Sequence, residues 1–234
     1  MRLLLVLFVF FISKSSRTQT IQVQYESVYD GTLYQNQLSL NDSISVWEMI
    51  PDPQATDKAD ELLVKNQSLS SLFLIDYIFQ KKFFVSDSLH PMKWELQADK
   101  KNILGHICFS ASTLFRGRNY IAYFAKDLPA NGGPWKFGGL PGLILEVVSS
   151  DGHYRFHAKE IRQTEPVYLS DFDLHEEEQL TWEEYCQKTI TSINHYVRYM
   201  QSISTNPGSQ VNLRIDRPEI IYPAAQTGAG ISSE

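Results

Sequence analysis

The residues best placed to do chemistry lie on either side of an Asp-Gly turn signal. His153, Arg155 and His157 alternate along a strand-like run, and Glu146 sits on the preceding apolar run. If Asp151-Gly152 closes a two-residue hairpin of type I′, Glu146 faces His157, Val148 faces Arg155 and Lys159 stands nearby. A carboxylate beside an imidazole can orient it for acid–base work or share a metal ion with it. Glu146, His153 and His157 are therefore the candidates for a hydrolase or a metal-dependent enzyme. A polar strand face bathed in water shows the same alternation, so convergence of the three side chains is the discriminating observation.

Other constellations are weaker. His106-Ile-Cys108 puts two potential ligands on one strand face, but a zinc site needs three or four. Asp171, Asp173 and Glu176 to Glu178 approach calcium-ligand spacing, yet the run lacks the central Gly and fixed terminal Glu of an EF-hand and reads as a solvated acidic stretch. No G-x-S-x-G elbow occurs, and neither cysteine lies in a catalytic context. The glycines of G-G-P-W-K-F-G-G are not in phosphate-loop order and lead into a strand rather than a helix. No cofactor is expected.

The most distinctive stretch runs from Asp127 to Val148, D-L-P-A-N-G-G-P-W-K-F-G-G-L-P-G-L-I-L-E-V-V. It reads as a Gly/Pro-rich loop that delivers the chain into a buried strand. Pro141-Gly142 suits the two central positions of a type II turn, where Gly supplies a positive φ. Trp135 and Phe137 allow two readings. Exposed on a rigid loop, they form a ligand or partner platform; folded inward, they plug one end of the core, the reading favoured by the strand that follows.

The words G-P-W-K-F-G-G-L-P-G-L-I-L-E resemble the signature of the GLPGLI family of exported bacterial proteins. The likeness extends through Trp94-Glu95-Leu96, Ile103-Leu-Gly105 with Cys108, Phe115-Arg-Gly-Arg118 and Ile121-Ala-Tyr-Phe124, covering about residues 92–161. His106 and Ser110 depart from the pattern, which argues against a site common to the family in that segment. The resemblance implies an antiparallel sheet framework and a location in the Gram-negative cell envelope, periplasmic, outer-membrane-associated or secreted. It also implies an outer-membrane receptor or other envelope protein as a partner. It assigns no reaction.

Composition agrees with a globular protein: 234 residues, 43% hydrophobic and 12% aromatic, with a net charge of −6 that argues against a nucleic-acid partner. Met1-Arg2 followed by the apolar run Leu3 to Ile12 is too short to span a bilayer, for which about 20 residues are needed. It reads as a signal peptide over residues 1–18, with no transmembrane segment left after cleavage; a retained membrane anchor is the competing reading. A single domain over 19–222 and a disordered tail over 223–234 follow. An oxidising compartment permits a Cys108–Cys186 disulfide; two separate thiols are the other reading.

The elements that must position these residues are mainly strands. Ile21 to Tyr29, Leu33 to Leu40, Ser43 to Trp47, Leu72 to Gln80, Lys82 to Val85 and Met92 to Gln97 have the composition or alternation of strands. Ala55 to Lys65 is charged and reads as mobile or weakly helical. A hairpin over Ile107 to Phe124 turns at Arg116-Gly117, pairing Phe109 with Phe124, Ala111 with Ala122, Thr113 with Tyr120 and Phe115 with Arg118. That puts Phe109, Ala111, Phe115, Tyr120, Ala122 and Phe124 on a core face and Cys108, Ser110 and Ser112 on the other. Thr181-Trp-Glu-Glu184 is a capping box opening an amphipathic helix to about Gln201, stopped by Asn206-Pro207-Gly208. Val211 to Ile215 offers a further strand. The fold class that follows is mainly β: a curved antiparallel sheet of about eight to ten strands, half-barrel or bowl-like, with the long C-terminal helix packed on it (α+β being the alternative). Such a bowl suits an apolar or peptide ligand. Function divides into a non-enzymatic exported binding or accessory protein, the enzyme described above, and a structural subunit docked on a receptor.

Overall fold

The computed structural model describes residues 20–51, 61–66, 70–88, 91–128, 130–172, 178–203 and 218–219. The expected leader, the tail, the helix stop at 206–208, the strand at 211–215 and residues 55–60 and 173–177 of the charged stretches lie outside these. The described chain builds one open sheet of twelve strands and one long helix. The strands are β1 Thr20–Tyr29, β2 Thr32–Leu40, β3 Ile44–Met49, β4 Leu62–Asn66, β5 Ser71–Ile78, β6 Lys81–Ser88, β7 Glu95–Ile103, β8 His106–Phe115, β9 Arg118–Ala125, β10 Leu143–Ser149, β11 Tyr154–Thr164 and β12 Gln179–Thr181. The helix α1 is Trp182–Ile203. Spatial order is β12-β6-β5-β4-β3-β2-β1-β11-β10-β9-β8-β7, antiparallel except for the parallel β12–β6 edge. Two runs of consecutive hairpins thus meet where β11 pairs with β1.

Local chemistry explains the turns. Asp30-Gly31, Leu104-Gly105 and Arg116-Gly117 all have positive φ at both residues, the type I′ geometry that matches strand twist. The β8–β9 register is the one the sequence predicts, from Phe109 opposite Phe124 to Phe115 opposite Arg118. Glu146 faces His157 and Val148 faces Arg155, also as predicted. The connecting turn differs: only Gly152 has positive φ, because Asp151 accepts from Ser149 Oγ at 2.6 Å and from the His153 N–H at 3.2 Å, holding an Asx-type turn.

The strands missed in the sequence have physical causes. Leu62 to Lys65, read there as part of a mobile or weakly helical stretch, is strand β4 between β3 and β5. Its Leu63 and Val64 are buried on opposite faces, so no period-2 alternation marks it. β12 has three residues, too short a run to show alternation, and pairs in parallel with β6. Cys108 and Ser110, expected on the face opposite the core residues, are both buried. A register shift in β7 between Leu96 and Lys100 brings the Asp99 carbonyl to 2.7 Å from Ser110 Oγ, and Lys101, the strand partner of Cys108, lies across Tyr123 at 4.0 Å.

One large apolar cluster lines the inner face, from Leu72 and Phe83 at one side through Tyr25, Trp47 and Phe156 to Ala122 and Phe124 at the other. A small cluster of Ile44, Val46 and Val64 on the opposite face is covered by Val167, Leu169 and Phe172. α1 buries Tyr185, Thr189, Ile193 and Val197 at helical spacing, and packs on β12 and β6. Its capping box forms: the Glu184 N–H donates to Thr181 Oγ1 at 3.2 Å, and Glu184 accepts from the Thr181 N–H at 2.8 Å.

The loop 126–142 closes the inner face. Trp135 is 5% exposed and Phe137 fully buried, so the aromatics are the plug rather than a platform. Phe137 meets Tyr120 at 4.8 Å, Trp135 at 5.4 Å and Phe156 at 5.9 Å, in the tilted geometries aromatic pairs prefer. Lys65 donates to the Phe137 carbonyl at 3.1 Å and lies 3.4 Å from that of Gly133, so strand β4 holds the loop from the sheet. Glycine is required where the loop enters β10. Gly142 has φ +145, and a Cβ there would stand 2.2 Å from the Ala125 carbonyl oxygen. The turn is not type II, however. The Gly142 N–H donates to Leu140 O at 2.8 Å, while the Leu143 N–H is taken by Leu128 O at 3.1 Å. A γ-type turn at Pro141 results.

Candidate functional site

Glu146 is a buried carboxylate held by two cations. It is 2% exposed, accepting from Lys101 Nζ at 2.8 Å and from Arg155 at 3.0 and 3.1 Å. Two cations thus compensate one buried charge. His157 Nδ1 lies 3.6 Å away, beyond a hydrogen bond. Burial, assisted by Arg155 and Lys159, lowers the His157 pKa below its ordinary value against the pull of Glu146. His153 is drawn elsewhere: its Nδ1 meets Asp30 Oδ1 at 2.7 Å beside the β1–β2 turn. The structure therefore joins Glu146 with His157 and pairs His153 with Asp30. Glu146 is already paired with its two cations.

The remaining sequence candidates are also engaged. His106 pairs with Asp127 at 2.7 Å, which lowers the Asp127 pKa. Cys108 donates weakly to His106 O at 3.6 Å, and burial pushes its thiol up to about 11. Cys108 and Cys186 are not bridged. Among the described residues, no group of three or more His, Cys, Asp or Glu could hold a metal ion. Glu178, from the acidic stretch, pairs with Lys81 at 2.8 Å and Lys188 at 3.1 Å.

Three arrangements escape sequence reading. The first surrounds Glu61, ahead of β4. Its carboxylate accepts from Asn36 Nδ2 at 2.9 Å and from Tyr29 Oη at 3.3 Å, and burial pushes it up to about 7. The second is Lys65: among the described residues its hydrogen-bond partners are the Gly133 and Phe137 carbonyls, and burial lowers its pKa to about 7. Lys and Glu at strand ends give no sequence signal, since the partners come from 25 or more residues away. The third is a cleft of about 520 Å³ between α1 and the β5–β6 turn. Phe79, 54% exposed with φ +54, and Tyr196 meet at 5.3 Å in a tilted pair, while Tyr199 is 55% exposed; His195 and Arg198 line the cleft together with Thr191 and Ser192. Aromatic faces bordered by a cation and an imidazole suit a ligand with both apolar faces and hydrogen-bonding groups. Tyr196 and Tyr199 could have been noticed as aromatics three apart on a helix face. Nothing near Phe79 signalled its part.

No helix among the described residues is long and apolar enough to cross a membrane. No curated protein sequence matches the chain. Among solved structures, PNGF-II is similar in two crystal forms, P21 and C2, with TM-scores of 0.58 and 0.57 and identities of 17% and 18%. Each match covers 74% of this chain but only 34% and 33% of the solved chain, so this chain spans about a third of their length. At that identity the likeness establishes the fold. A family model described as "N-glycanase peptide, N-terminal domain" matches residues 23–184, from the first strand through the helix cap. That is well over half of the 234 residues, and the chain belongs to this family of N-terminal domains.

Proposed function

We propose that this chain is an exported cell-envelope protein that works as a non-enzymatic binding or accessory module, taking a glycan-bearing polypeptide in the cleft of Phe79, Tyr196 and Tyr199. The observation that carries the reading is the cleft itself. Its Phe79 and Tyr199 are more than half exposed and Tyr196 is 37% exposed, whereas Trp135 and Phe137 of the signature loop are consumed by the core. Sugar rings present apolar faces that pack on aromatic rings and hydroxyls that reach an arginine or histidine. The family's description directs the ligand class to glycosylated polypeptides, and the match covers the part of those proteins described as their N-terminal domain. The engagement of Glu146 by Lys101 and Arg155 supports binding over catalysis. Location in the envelope, and an outer-membrane receptor or other envelope protein as partner, are proposed on the GLPGLI-like signature and on Leu3 to Ile12 as a leader.

The test is titration of the full chain with an N-glycopeptide and with the same peptide lacking its glycan. The glycopeptide is expected to bind, and Tyr199→Ala, whose side chain is largely solvated, to weaken that binding at least tenfold without changing the fold. Equal binding of both peptides, or binding untouched by Tyr199→Ala, would overturn the assignment of the cleft.

A further inference from the structure

A four-charge network is closed by a residue from outside the family-matched span. Arg116 donates to Asp87 at 2.6 Å and to Glu219. Lys136, the lysine of the signature, reaches Glu219 at 2.7 Å and Asp87 at 3.5 Å. The side chains of Lys136, Asp87 and Glu219 are 2%, 4% and 7% exposed. Trp182, the first residue of α1, lies 4.1 Å from both cations, measured from its ring centre to Lys136 Nζ and Arg116 Cζ. Tyr120 Oη donates to the Pro218 carbonyl at 2.7 Å.

The charge balance sets the argument. Among the described residues of 23–184 the pocket holds two cations, Arg116 and Lys136, and one carboxylate, Asp87. A buried cation without a counter-charge is costly, so the remaining position requires an anion. Pro218–Glu219 supplies it, together with a carbonyl for Tyr120. This is how a receptor recognises an acidic peptide: one backbone hydrogen bond fixes register, and a forked cation pair reads the carboxylate. We infer that Arg116, Lys136, Tyr120 and Trp182 form an acidic-peptide site that Pro218–Glu219 fills in cis, and that an acidic segment of a partner protein takes the same site by displacing them. The inference goes beyond the glycopeptide reading and stands without it, because the two use different residues.

The test uses the full chain carrying Glu219→Gln, which keeps the shape and an acceptor while removing the charge, and Glu219→Ala as a second variant. The probes are the synthetic peptides Ac-Arg-Pro-Glu-Ile-NH2 and Ac-Arg-Pro-Gln-Ile-NH2, followed by calorimetry and by tryptophan fluorescence. Each variant is expected to bind the Glu peptide at least tenfold more tightly than the Gln peptide, and at least tenfold more tightly than the unaltered chain does. If one variant fails to fold, the other carries the comparison. If neither folds, the unaltered chain at high peptide concentration is expected to bind only the Glu peptide, with a change in tryptophan emission. Equal binding of the two peptides, absence of binding to a folded variant, or equal affinity in variant and unaltered chain would overturn the inference.

Discussion

Gly142→Ala is the sharpest perturbation of the corner that feeds the signature loop into β10. The added Cβ meets Ala125 O at 2.2 Å, its carbonyl carbon at 2.7 Å and Lys126 Cα at 3.1 Å, all backbone atoms. Ala125 cannot withdraw, because it is paired with Cys108 on one side and Leu143 on the other. The φ of +145 adds a conformational penalty of about 1–3 kcal/mol for an L residue. Relieving the clash requires parting β9 from β10 or withdrawing the plug formed by Trp135 and Phe137. Loss of a buried aromatic contact of this size costs about 3–5 kcal/mol. The sum, at least ~4 kcal/mol, is a large share of the 5–15 kcal/mol expected for a domain. Gly138→Ala is the control, since no atom lies within 4 Å of its Cβ and its φ is unremarkable. Urea unfolding followed by tryptophan fluorescence measures both. Gly142→Ala should fold poorly or lose at least ~4 kcal/mol, and Gly138→Ala should stay within about 1 kcal/mol. A Gly142→Ala protein within 1 kcal/mol of the parent would refute the reasoning about this corner.

Two further predictions concern buried titratable groups. Glu61 has its pKa raised from 4.5 to about 7, so the folded state holds its proton more tightly; the stability this contributes is complete below pH 4.5 and is lost as pH rises to about 7. Lys65 has its pKa lowered from 10.5 to about 7, so the unfolded state binds the extra proton and stability rises between about pH 7 and 10.5. Glu61→Gln should flatten the first limb and Lys65→Met the second in urea midpoints taken across pH 4.5 to 10; unchanged limbs would refute the assignment of either group. With iodoacetamide under native conditions, Cys186 should label and Cys108, buried with its thiol pushed up to about 11, should react only after unfolding. A mass two units lower than the sum of two thiols would instead show a disulfide.

The parts of the fold that were legible are those set by neighbours in sequence. Arg116-Gly117 specifies its own turn, and that turn fixes the register from Phe115 to Phe109 without reference to the rest of the chain. Thr181 and Glu184 cap the helix across three residues. Trp135 and Phe137 read as core because the loop carrying them runs straight into a buried strand. What was hidden depends on long-range meetings. Arg116 and Glu219 are 103 residues apart, and neither flanking sequence announces the other. Glu61 gives no sign of burial because Asn36 and Tyr29, which take its carboxylate, lie 25 and 32 residues away. His153 lies in the turn just ahead of β11 and His157 within it; Asp30 captures the first and Glu146 stands by the second. Strand pairing is visible in sequence; the competition among partners for a side chain is not.

The proposed function is that this chain holds a glycopeptide without transforming it. Native and denaturing mass spectrometry of the full chain with a homogeneous N-glycopeptide tests both halves in one sample. The account predicts a complex carrying the intact glycopeptide mass, weakened in Tyr199→Ala, and no new product after prolonged incubation. Release of the glycan, with products that vanish in Glu146→Gln, would contradict it.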